Sequence, residues 1–137
     1  MQRRTILLAP PALLIVSSAG AHTADDLAGK RGPNGGQLRA TASWHLELVV
    51  KGDELMVFVN THEDKPVSTR GATGRVSLLL GAERSDVLLE PFAQNGLRGS
   101  GKFSSDPKLR AVVSVTLAGG KPQQERFEPF RPVAATK

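Results

Sequence analysis

WHLELVVKGDELMVFVN, running from Trp44 to Asn60, is the strongest structural signal in the chain. Trp44, Leu46, Leu48 and Val50 alternate with His45, Glu47 and Val49, the period of a strand whose successive side chains point to opposite faces. Lys51-Gly52-Asp53-Glu54 is turn chemistry, and Leu55, Val57 and Val59 then resume the alternation on the apolar side. The segment therefore predicts a β-hairpin with its aliphatic set turned inward. Its other face, carrying His45 and Glu47, is expected to meet solvent. Burying each large aliphatic side chain contributes about 1.5–3 kcal/mol, so this hairpin is a major part of any core.

Outward from the hairpin the same pattern recurs. Gly35-Gly36 precedes a short strand over Gln37 to Thr41. After the turn-rich THEDKPVSTRGATG (Thr61 to Gly74), strands are expected over Arg75 to Leu80 and, past a turn at Gly81 to Ser85, over Asp86 to Glu90. Pro91 to Asn95 reads as a loop, and Gly96 to Phe103 as a glycine-rich strand at an edge or bulge. Leu109 to Leu117 alternates cleanly, Gly119-Gly120 is a two-glycine turn, and Gln123 to Phe127 returns as the last strand. About seven or eight short strands at this spacing, with no helical period, predict an all-β fold: an antiparallel, immunoglobulin-like β-sandwich.

The ends are different. Residues 1–21 show a basic start at Arg3-Arg4, an apolar run from Ile6 to Val16 and an A-x-A site ending at Ala21, the three parts of a cleaved export signal. The run is short for a membrane span and holds Pro10-Pro11. Residues 22–33 read as a flexible arm, residues 34–129 as the β-domain and residues 130–137 as a tail. The expectation is a periplasmic protein with no membrane span after cleavage.

Composition narrows the function. The 137 residues contain no Cys, which excludes disulfides, thiolate metal sites and a cysteine nucleophile. A net charge of +5 is spread thinly, and one Trp, five Phe and no Tyr give no stacking platform, so nucleic acid is not expected as a partner. The GLRGSG string (Gly96 to Gly101) lacks the strand–helix context of a phosphate loop. No serine stands in a nucleophile elbow, and no His–carboxylate arrangement accompanies one, so an enzyme is not expected.

The remaining chemistry is carried by three histidines, His22, His45 and His62. With the turn centred near Gly52-Asp53, His45 pairs close to Asn60, and His62 falls about one pair beyond. Opposed and diagonal residues of a hairpin lie within about 5–8 Å, so one ion could bridge His45 and His62, with Glu47, Glu63 or Asp64 as a third ligand. Imidazole and carboxylate suit zinc, copper(II), nickel or cobalt. Cleavage after Ala21 would make His22 the N-terminus, able to chelate copper through amine and ring. The competing reading leaves these residues as ordinary polar groups on a wet face, in a module that binds protein and no metal.

GPNGGQL (Gly32 to Leu38), WHLELVV, ELMVFV and DKPV together resemble the small β-domain of periplasmic adaptor subunits in resistance–nodulation–division heavy-metal efflux pumps. GATG (Gly71 to Gly74) and AVVSVTL (Ala111 to Leu117) resemble that domain's short stand-alone exported versions. The resemblance implies a periplasmic metal-homeostasis setting, with an efflux-system or other envelope protein as partner, and does not identify a metal; zinc or copper(II) is expected from the imidazole and carboxylate donors alone. In that family a histidine stands where this chain has Asn34, so metal binding here is either lost or rests on His45 and His62.

Overall fold

A computed structural model describes residues 30–103, 106 and 108–128. The export signal, His22, most of the arm and the tail lie outside the described residues. Eight strands follow in order: β1 (Gln37–Ala40), β2 (His45–Lys51), β3 (Glu54–Asn60), β4 (Thr73–Leu80), β5 (Glu83–Phe92), β6 (Gly96–Ser100), β7 (Arg110–Thr116) and β8 (Gln123–Phe127). No helix occurs among the described residues, and none is long and apolar enough to cross a membrane.

The all-β expectation holds. Hydrogen bonding joins all eight strands, every pair antiparallel, in the order β1-β2-β3-β6-β5-β4-β7-β8. The sheet curls until β1 and β8 come into contact, nearly closing a barrel. Arg39 on β1 reaches across this seam. Its Nη2 donates to the Glu128 carbonyl at 3.0 Å, and its guanidinium lies 5.3 Å from the Phe127 ring centroid. Near-closure reduces the number of unpaired strand edges that another chain could template on.

The hairpin forms with the expected register: His45 pairs with Asn60, and Lys51 with Glu54 around Gly52 at φ 59°. Leu46, Leu48, Val50, Leu55, Val57 and Val59 are buried in one core with Val76, Leu78, Leu97, Val113, Val115 and Phe127, and Trp44 packs against its margin. Core burial at this scale is the main term holding the fold together.

Three local expectations need correction. The glycine-rich strand is internal, with β3 on one side and β5 on the other. Glycine is required there by crowding, because a Cβ at Gly99 would strike the Leu88 carbonyl and one at Gly96 would lie 2.7 Å from the Phe92 ring. The turn before β5 is shorter than predicted, since Leu80 pairs with Glu83 around Gly81-Ala82. Gly81 at φ 60° supplies the left-handed geometry a two-residue hairpin needs. Pro91 lies inside β5, opposite Leu97, and the loop shrinks to Ala93–Asn95.

The largest correction concerns the outer face of the first hairpin. His45 is 5% exposed, Glu47 0% and Val49 1%, so the face expected to be wet is covered. Part of it is a small apolar cluster of Val49, Met56 and Phe58, against which Phe92 packs. The rest lies under two roofs: the turn around Gly32–Gly36 and the turn that begins at Thr61.

Candidate functional site

The first roof is built on Glu47. Its Oε2 accepts from the backbone N–H of Asn34 at 2.9 Å and of Gly36 at 2.8 Å, and its Oε1 accepts from Asn34 Nδ2 at 2.9 Å. A buried carboxylate is tolerated only when its acceptors are filled in this way. The turn closes on itself through Gly35 N–H to the Gly32 carbonyl (2.9 Å) and Gly32 N–H to the Gly36 carbonyl (3.0 Å). Gly32 leaves no space for a side chain, because its Cβ would fall onto the Glu47 carboxylate. Arg31 pairs with Gln37, which draws the chain before the turn onto β1.

The second roof is the Thr61–Lys65 turn. Thr61 N–H donates to the Lys65 carbonyl at 2.7 Å, and Asp64 N–H donates to the Thr61 carbonyl at 2.9 Å. Thr61 Oγ1 accepts from Lys65 N–H at 3.1 Å. Asp64 takes a left-handed φ of 63°, a conformation that Asp accepts more readily than most residues. This backbone sets the Asp64 carboxylate and the His62 ring above His45.

The result is a stacked histidine pair. The His45 and His62 ring centroids are 4.9 Å apart, with planes 18° from parallel. His45 Nδ1 lies 3.2 Å from Asp64 Oδ1. A carboxylate can only accept, so Nδ1 carries a proton, and in the neutral imidazole Nε2 is then the ring's acceptor. His62 Nε2 lies 3.2 Å from the Thr41 carbonyl, which likewise fixes its proton on Nε2 and leaves Nδ1 open. His45 Nε2 is fully buried and has no hydrogen-bond partner among the described residues. Leaving such an acceptor unsatisfied costs about 1–3 kcal/mol.

Beside the pair is a cavity of about 510 Å³. His45, Asn60 and Leu38 form its floor on β1–β3, His62 and Asp64 one wall, and Lys30 to Pro33 the other. Two smaller grooves elsewhere are lined by the outer face of β4, β5 and β7 and by the barrel end near Leu80 and Phe103, away from every histidine described.

The structure therefore brings together three of the residues singled out from sequence: His45, His62 and Asp64. Glu47 lies on the same face but is consumed by the Gly32–Gly36 turn, and Glu63 is exposed on the second roof. His22 lies outside the described residues. No group of three or more His, Cys, Asp or Glu side chains is assembled as a ready metal site among the described residues. Lys30, Arg31, Leu38, Asn60 and the Thr41 carbonyl were not anticipated. Their one sequence signal is the adjacent Lys30-Arg31 pair, within the segment that reads as an arm.

Both histidines nonetheless match the donor chemistry of a transition metal. Metal-binding imidazoles characteristically give their second N–H to a carboxylate or a backbone carbonyl, which fixes the tautomer and aims the free nitrogen. Asp64 does this for His45, and Thr41 for His62. Nearly parallel rings, however, do not direct their in-plane lone pairs at one point, so one ring must turn before both can hold a single ion. His62 is the exposed partner and the freer to turn.

Comparison with family models, with characterised proteins and with solved structures finds no match to this chain.

Proposed function

We propose that this is an exported, non-enzymatic β-protein of the periplasm that binds a divalent transition metal weakly and reversibly, as an accessory to metal efflux or homeostasis. The observation that carries the reading is the His45 imidazole, buried, fixed in one tautomer by Asp64 and left with an unpartnered Nε2. An unsatisfied acceptor is a standing cost to the fold, and a bound cation removes it.

His45 Nε2 is the anchor and His62 the second ligand, supplied when its ring turns out of the stack. Asp64 acts through His45 as a positioning residue. Zinc or copper(II) suits two imidazoles, and the metal would supply Lewis acidity and charge that the apolar barrel lacks. With two protein ligands, binding is weak and exchangeable, as delivery or buffering requires. Metal uptake needs neutral imidazoles and therefore weakens in acid.

The architecture fits a binding module. We read the nearly closed sheet as a flattened barrel in which β1, β2, β3 and β6 face β4, β7 and β8 across one core, as the layers of an immunoglobulin-like sandwich do. The support is that residues from both parts belong to one core cluster, with β5 paired to both β4 and β6.

Calorimetric titration of the mature protein with zinc and with copper(II) tests this. Binding tighter than about 1 mM is expected, and it should vanish in His45→Ala. Absence of such binding, or binding that survives His45→Ala together with His62→Ala, would overturn the proposal. The latter result would leave a protein-binding module whose metal, if any, sits elsewhere.

A further inference from the structure

Asn-Gly occurs twice in the chain, at Asn34-Gly35 and Asn95-Gly96. Glycine leaves the backbone nitrogen after an asparagine unshielded, so that nitrogen can reach the side-chain carbonyl carbon wherever the backbone is free to turn. The fold treats the two junctions differently. Asn95 Nδ2 donates to the Val59 carbonyl and to Asn60 Oδ1, both at 3.2 Å, and the Asn95 carbonyl accepts from the Val59 N–H at 2.9 Å. Gly96 lies inside β6, paired with Phe58 on one side and Phe92 on the other. Asn95 cannot rearrange without breaking the sheet.

Asn34 stands exposed in the turn that forms the first roof. Its amide is held by Nδ2 to Glu47 Oε1 at 2.9 Å, and the Gly35 N–H by the Gly32 carbonyl at 2.9 Å. Lifting the turn releases both groups and leaves the eight strands paired, a local opening of the kind that costs least in a folded protein.

We infer that Asn34 is a self-modification site, whose deamidation through Gly35 releases the first roof in one direction only. The Gly35 nitrogen loses its proton, attacks Asn34 Cγ and expels the side-chain nitrogen as ammonia. Water then opens the cyclic imide at either carbonyl, leaving aspartate or isoaspartate at position 34. One water is consumed, one ammonia leaves, and nothing is oxidised or reduced. The product has a carboxylate where Nδ2 had been, against Oε1 of the fully buried Glu47. Neither ionised group can donate to the other, and like charges at that range repel. Isoaspartate also lengthens the backbone by a methylene, which displaces the Gly36 N–H from Glu47 Oε2. The segment Lys30 to Pro33 then lifts away, and the cavity beside the histidine pair loses a wall.

The test is to age the metal-free mature protein at mildly alkaline pH in heavy-oxygen water, with a urea-unfolded sample alongside, and to map the peptides by mass spectrometry. Asn34 of the folded protein should take up the label as aspartate and isoaspartate at least about tenfold faster than Asn95, because only its junction opens locally. Asn34→Asp should unfold at lower urea than Asn34→Ala, since it adds repulsion where alanine only removes a bond. Trypsin should cut after Arg31 faster in Asn34→Asp than in the parent. If Asn34→Asp does not fold, the aged chain separated by ion exchange gives the same two readings. Equal rates at the two junctions, or an intact Asn34 once the unfolded sample has converted, overturns the site. A product as stable and as trypsin-resistant as the parent overturns the release of the roof. No metal enters these readings, so their failure leaves the metal proposal standing.

Discussion

Asn34 and Glu47 face each other through two hydrogen bonds, the Asn34 backbone N–H to Oε2 and its side-chain Nδ2 to Oε1, each 2.9 Å long. This pairing closes the Gly32–Gly36 turn over the outer face of the hairpin. It turns what reads as a solvent-facing strand side into the floor of a cavity. Asn34 is here a donor to a buried carboxylate, a role for which an amide is well suited.

Removing the carboxylate should therefore damage the fold. In Glu47→Ala the N–H groups of Asn34 and Gly36 lose their acceptor, and a loss of at least about 2 kcal/mol is expected in urea unfolding. Asn34→Ala keeps the backbone donor and should cost less than about 1 kcal/mol. Equal losses in the two variants would show that the carboxylate is not the centre of the turn.

Substituting His45 separates stability from binding. His45→Phe fills the same volume and removes the unpartnered nitrogen, so stability should stay within about 1 kcal/mol of the parent or rise. Metal binding should disappear. A strongly destabilised His45→Phe would mean that the Asp64 hydrogen bond holds the second roof in place.

The hairpin, its register and the inward aliphatic set were legible in the sequence because alternation and turn residues encode them locally. The burial of His45 and Glu47 was not. It depends on two turns, one thirteen residues before Glu47 and one nineteen residues after His45, folding back over the strand. Alternation states which residues share a face and is silent on what covers that face. The same limit applied to Gly96–Ser100, where glycine looked like an edge signal and proved to be a consequence of crowding between β3 and β5.

That crowding gives a third expectation. Gly99→Ala would push a methyl group against the Leu88 carbonyl and should cost about 1–3 kcal/mol. Gly52→Asn, at a left-handed turn position with open space around it, should be nearly neutral when both variants are compared by thermal unfolding. Similar costs for both would contradict the packing described for β6.

On the opposite side of the barrel, Ser77 Oγ donates to Asp86 Oδ1 at 2.7 Å, and this hydrogen bond, with help from Arg84, holds the Asp86 carboxyl below its ordinary pKa. Ser77→Ala should raise that pKa in a carbon-detected NMR titration. A lowered folded pKa gives stability that is present above the unfolded value and lost as pH falls through the folded one. Because Asp86 lies at the surface, the effect on stability should be slight even where the titration shift is clear.

The proposed function rests most heavily on one atom, Nε2 of His45. Long-range nitrogen–proton NMR of the imidazoles during a zinc titration observes it directly. The expected result is a saturable shift of His45 Nε2 with the proton retained on Nδ1, accompanied by a shift of His62 as its ring leaves the stack. His45 resonances that stay fixed while zinc reaches saturating concentration would contradict the account.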